Sequence, residues 1–232
     1  MNDNFEKFLN ELKNNLSSRL CSVFAYGSKA SAGLGNCENI DLMIVVDNLS
    51  PDDLMRVSHA SREWMRKNPM PVFMDKREWF ASADVYALEY SDIKEYGKIL
   101  YGEDVISPVS INRDDLRFQC EHELKNLLMR LRKNYLLNSC NDRMLKEAFI
   151  PVIKTVLTLA RAILRLKNYE VPAAHCELLE KLKELSIVDS SVFSKLLDYK
   201  EGSLKISRSE VLSLYPDLLV SVGELLKYVN DL

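Results

Sequence analysis

The run Leu20-Cys21-Ser22-Val23-Phe24-Ala25-Tyr26-Gly27-Ser28, followed after twelve residues by Asp41-Leu42-Met43-Ile44-Val45-Val46, decides the fold. Both apolar runs, Leu20 to Tyr26 and Asn39 to Val46, are short and rich in β-branched and aromatic residues, which is the signature of strands. The loop between them holds Gly27, Gly33 and Gly35, three of the chain's seven glycines. Glycine gathered there in a glycine-poor chain marks a backbone that turns tightly or lets something approach closely.

Working outward, Phe5, Phe8, Leu9, Leu12 and Leu16 recur at three and four and predict an amphipathic helix ahead of the first strand. Ser50-Pro51-Asp52-Asp53 places a capping serine, a proline at the first helical position and an acid at the third, so a helix starts there and runs to about Lys67. Met70 to Asp75 reads as a third strand. Val85 to Ser91 alternates, with Tyr86, Leu88 and Tyr90 on one face, and reads as a half-buried strand; Ile99 to Tyr101 reads as a last short one. After Pro108 the period is helical to the end. Leu116 to Tyr135 and Leu145 to Leu166 give two long helices, the second with Pro151 expected to kink it, and Ser207-x-x-Glu210 caps the final helix. The expected fold is α+β: a mixed sheet of four or five strands with flanking helices over residues 1–110, then an all-α bundle over 111–232.

Composition excludes other classes. With 47% hydrophobic and 28% charged residues the chain sits close to the globular average and is not disordered. Five cysteines, none spaced as a metal-ligand pair, read as reduced thiols of a cytoplasmic protein, and the longest aliphatic run, Leu42 to Val46, is far too short for a membrane span. The net charge of −3 argues against general nucleic-acid binding. It is uneven, however: 12 Lys+Arg against 17 Asp+Glu over 1–112, 12 against 6 over 113–167, and 7 against 11 over 168–232. A basic block between acidic flanks suits a small polyanion such as a nucleoside triphosphate. Within it Lys154, Thr158, Arg161 and Arg165 recur at four, three and four, forming one stripe that could hold a triphosphate or an acidic acceptor; the bland alternative is a solvated helix edge.

Helix, strand, Gly27-Ser28, twelve residues, Asp41 and an aliphatic strand together resemble the nucleotidyltransferase superfamily. The stretches Ala83 to Ile93, Leu100 to Asp104 and Leu116 to Lys125, with Leu131-Arg132 beyond, resemble a group of bacterial nucleotidyltransferase-domain proteins with a helical bundle after the catalytic-type domain. The resemblance implies that Gly27 and Ser28 hold phosphate, that Asp41 ligates Mg²⁺, and that a further acid, Asp75 or Glu89, takes the proton of an acceptor hydroxyl as a nucleoside monophosphate is transferred and pyrophosphate leaves. Asp75 with Lys76 and Arg77 could equally be an exposed turn, and Glu89 a solvated strand residue.

One departure is decisive. The superfamily's second carboxylate falls two residues after Asp41, where this chain has Met43. A thioether is a soft, neutral ligand and Mg²⁺ takes hard oxygens, so Met43 cannot replace it. The sequence therefore supports two readings: a nucleotidyltransferase using nucleoside triphosphate and Mg²⁺, with another acid filling the gap, or a catalytically inactive nucleotide-sensing or protein-interaction module. The expected partner is a nucleotide, with a homo-oligomer possible and the acceptor open.

Overall fold

The computed structural model describes residues 3–27, 30 and 39–232. Its first unit opens with α1 (Asp3–Leu16) and a 3₁₀ turn (Ser17–Arg19), then β1 (Leu20–Tyr26), β2 (Asp41–Val46), α2 (Pro51–Trp64), β3 (Val72–Asp75), α3 (Lys76–Ala81), α4 (Ala87–Tyr96) and β4 (Lys98–Gly102). The four strands form one mixed sheet in the order β3-β2-β1-β4. β1 is antiparallel to both β2 and β4, whereas β2 and β3 are parallel because α2 carries the chain back between them.

Strand alternation sends residues to two cores. Val23, Ala25, Leu42, Ile44 and Val46 pack beneath α1 and α2, where the Phe8 and Trp64 rings stack at 5.1 Å. Phe24, Met43 and Val45 face the other way, against Trp79, Tyr90, Ile93 and Val105. Ser50 and Asp53 close a full capping box on α2, as the sequence predicts. Asp53 is fully buried and also receives both Arg19 guanidinium nitrogens and, at 2.7 Å, Arg56. Those contacts hold its carboxyl well below the usual carboxylate range, against the cost of burial.

Two expectations are corrected. Val85 to Ser91 is not a strand: Ala87 to Tyr96 is helical, and among the described residues the sheet has four strands, within the expected four or five. The alternation was short, while the buried set Ala87, Tyr90 and Ile93 steps by three. The helix wins because it lays the Tyr90 ring on Trp79 at 4.3 Å and lets the Tyr90 hydroxyl donate to the Trp79 carbonyl at 2.7 Å. Nor does Pro151 kink a long helix. The region is split into α6 (Asp142–Lys146) and α7 (Phe149–Leu166), which puts Pro151 in the first turn of α7, where a backbone N–H would have no helical partner anyway.

The chain divides into two compact units, Met1–Asn112 and Arg113–Leu232. In the second, α5 (Arg113–Asn138), α6 and α7 are followed by α8 (His175–Glu184), α9 (Ser191–Glu201) and α10 (Arg208–Asn230). Tyr215 of α10 anchors this bundle: it is fully buried, stacks on Tyr135 at 5.3 Å, donates to the Leu131 carbonyl and accepts from the Asn134 amide. Among the described residues, no helix is long and apolar enough to cross a membrane.

Candidate functional site

The end of β1 and the start of β2 make one corner of the sheet. Tyr26 and Asp41 are cross-strand partners, and Phe24 pairs with Met43 one step further in. Gly27 follows at φ +74°, a left-handed conformation that glycine adopts without strain. A Cβ built there would lie 2.8 Å from Asp41 Oδ2. Glycine is thus required twice, for its dihedral and for the space its missing side chain leaves to the carboxylate. Ser28, the other expected phosphate-holding residue, lies outside the described residues, as do Gly33 and Gly35.

Asp41 is half-buried, and that burial pushes its carboxyl above the ordinary range. The Tyr26 hydroxyl is pushed up as well, by burial first and by the Asp41 charge second. The chain is steered into β2 by a residue the sequence reading did not single out. Asn68 is buried, accepts from the Ile40 amide at 3.4 Å and donates to the Trp64 carbonyl at 3.3 Å, so it ties the approach to Asp41 to the end of α2.

Met43 lies on the Asp41 face of the strand and is only 7% exposed. Its thioether belongs to the core formed with Phe24, Val45 and Trp79, so the place of a second carboxylate is filled by packing.

The structure does not bring Asp75 to this corner. The parallel register sets Met43 level with Val72 and Val46 level with Asp75, so Asp75 sits about 16 Å along the sheet from Asp41. Its carboxylate is used structurally: it caps α3 by accepting from the Arg77 amide at 2.8 Å and receives the Leu49 amide at 3.0 Å, contacts that hold its carboxyl low. β3 begins at Val72, level with Met43, so the β3 residue nearest the corner is apolar. Glu89 is exposed on α4 and not on a strand, which removes the strand-face argument for it as the third acid. Among the described residues, no three His, Cys, Asp or Glu side chains cluster closely enough to hold a metal ion. This donor set, with Asp41 beside a buried thioether, does not fit a two-metal Mg²⁺ centre.

No protein-family model matches the sequence, and no curated protein matches it. A solved structure does: the spectinomycin adenyltransferase AAD(9) from Enterococcus faecialis, with ATP and spectinomycin, aligns over 95% of this chain and 98% of its own at a TM-score of 0.55 and 15% identity. The fold is a nucleotidyltransferase fold. Its likeness to that enzyme extends through the helical bundle, since nearly the whole of both chains is covered.

The basic stripe lies on α7 in the helical unit. Lys154 is exposed; Arg161 is half-buried, 3.4 Å from the Thr158 hydroxyl, and its charge helps burial and Lys200 hold the His175 imidazole below its ordinary value. Arg165 is half-buried near Cys120, whose thiol burial pushes up to about 12 against the opposing guanidinium charge. Two surface depressions do not involve the Asp41 corner. One of about 530 Å³ includes Asp47, Lys76, Arg77 and Phe80, at the far end of β2; another of about 550 Å³ includes Lys183, Glu224, Lys227 and Tyr228 of the helical unit.

Proposed function

We propose that this chain binds a nucleoside triphosphate at the Gly27–Asp41 corner and has lost the metal-dependent nucleotidyl transfer for which the fold is built, leaving a nucleotide-sensing module. The observation that carries this reading is the pairing of the strands. At the corner β2 offers Asp41 and then a buried Met43, and β3 begins level with Met43 at the apolar Val72. Transfer of a nucleoside monophosphate needs carboxylates that clamp metal on both the attacking and leaving oxygens. The described residues supply one. The left-handed turn at Gly27 supports phosphate contact, because a backbone free of Cβ can bring its N–H groups close to an anion. That the spectinomycin adenyltransferase with the same fold was solved with ATP supports a nucleotide as the ligand and ATP as the first probe.

The test is a pair of assays on the full chain. ATP binding by calorimetry should be measurable in the natural chain and lost in Gly27→Val, while pyrophosphate release from ATP and Mg²⁺ with pooled hydroxyl acceptors should stay at the level of a protein-free control. Sustained release that Asp41→Asn abolishes would show an active transferase and overturn the reading.

A further inference from the structure

The longest helix of the bundle leaves an apolar stripe in solvent. On α5 the side chains packed into the bundle are Leu116, Cys120, Leu124, Leu127, Leu128 and Leu131. On the opposite side Phe118 is 63% exposed, Met129 51% and Leu136 81%. Their separations of eleven and seven return to within about 20° of the same direction on a 3.6-residue helix, so the three form one line. Large apolar side chains scattered singly on a surface are ordinary; three aligned over five turns are not.

Charge along the same helix is polarised. Residues 113–124 carry Arg113 and Arg117 against Asp114, Asp115, Glu121 and Glu123, a net of −2, whereas residues 125–138 carry Lys125, Arg130, Arg132 and Lys133 and no acid, a net of +4. A second copy of α5 laid antiparallel on the first sets the acidic half of each against the basic half of the other. A parallel copy sets like against like. We infer that this face is a two-fold interface between two copies of the chain, with the helices antiparallel and the axis near residue 127. In that register Phe118 of one copy meets Leu136 of the other, the Lys125 stem covers Met129, and Glu121, already flanked by Arg117 and Lys125, comes level with Lys133. A 26-residue helix is about 39 Å long, enough for an interface at the lower end of those that hold stable complexes.

The test uses the whole chain, by sedimentation over about 1 to 100 µM. A concentration-dependent shift from 26.7 kDa to twice that mass is expected, with weaker association at high salt. Leu136→Glu and Met129→Glu should each raise the dissociation constant at least about tenfold while far-UV circular dichroism stays unchanged, because both positions are exposed in the single chain. Orientation is read by cross-linking in a chain with Cys37, Cys140 and Cys176 changed to Ser. A Phe118→Cys copy mixed with a Leu136→Cys copy should join through a short bismaleimide, and neither variant should join to itself, since the two positions lie about 27 Å apart along the helix. A monomer throughout the range, a dimer indifferent to Leu136→Glu, or efficient 118-to-118 cross-linking would each overturn the proposal. Nucleotide binding enters none of these readouts, so failure here leaves the nucleotide reading standing.

Discussion

Met43→Asp restores the residue that a metal-binding corner requires, and the structure states what it costs. Met43 is buried with Phe24, Val45 and Trp79, so removing its side chain forfeits about 2–5 kcal/mol of packing on the scale of buried Met truncations. The new carboxyl stands two residues from Asp41 on the same strand face, in surroundings that already push the Asp41 carboxyl up. A carboxyl whose folded pKa is raised favours the folded state below its unfolded pKa and loses that contribution as pH rises through the folded value, so the penalty grows from acid to neutral pH. At pH 8 a total near 4 kcal/mol corresponds to a fall in Tm of about 8–16 °C, and the fall should shrink toward pH 5. Saturating Mg²⁺ should return part of it: at ten times its dissociation constant a ligand recovers about 1.4 kcal/mol. Met43→Leu is the packing control and should cost less than about 1.5 kcal/mol. Differential scanning fluorimetry at pH 5 and 8, with and without Mg²⁺, reads every term. If Met43→Asp unfolds no earlier than Met43→Leu at pH 8, the side chain is not packed as described and the corner was open to a metal all along.

Further outcomes follow from other contacts. Gly27→Ala places a Cβ against Asp41 Oδ2 in a left-handed backbone conformation, which should lower stability in urea unfolding by about 1–2 kcal/mol from the dihedral alone and weaken ATP binding as well. Asp53→Ala strands Arg19 and Arg56; because both guanidinium groups are partly exposed, the loss should be about 2–3 kcal/mol, below that for a wholly buried pair. The Asp53 carboxyl is held low, so its contribution is present above the unfolded pKa and is lost as pH falls through the folded one; the natural chain should approach the variant's stability in strong acid.

The two central strands were legible because their β-branched runs are bounded by glycine and by polar turns, and α2 because its capping box stands in the sequence. The Val85 to Ser91 region was not. Seven residues fit alternation and a helical stripe equally well, and only Trp79, a partner distant in the fold, decides between them. The place of the third acid was left open between Asp75 and Glu89 for a different reason. Distance along the chain does not say at which end of a strand a residue will sit. A signal was available: a helix between two strands of one sheet makes them parallel, so the start of β3, not Asp75 at its end, had to lie beside Asp41. Asn68 gave no sequence signal, since a buried asparagine beyond a helix looks like any turn residue until its partners, Ile40 and Trp64, are brought to it.

Calorimetric titration of ATP into the natural chain and into Asp41→Asn, each in EDTA and in excess Mg²⁺, reads the central claim most directly. The proposed corner, with one half-buried carboxylate among the described residues and no metal held for transfer, predicts that the natural chain binds ATP in EDTA within about threefold of its affinity in Mg²⁺, and that Asp41→Asn binds at least as tightly, because a negative charge has been taken from beside the phosphates. Binding that appears only with Mg²⁺ and vanishes in Asp41→Asn would contradict it, and would make Asp41 the ligand of a working metal centre.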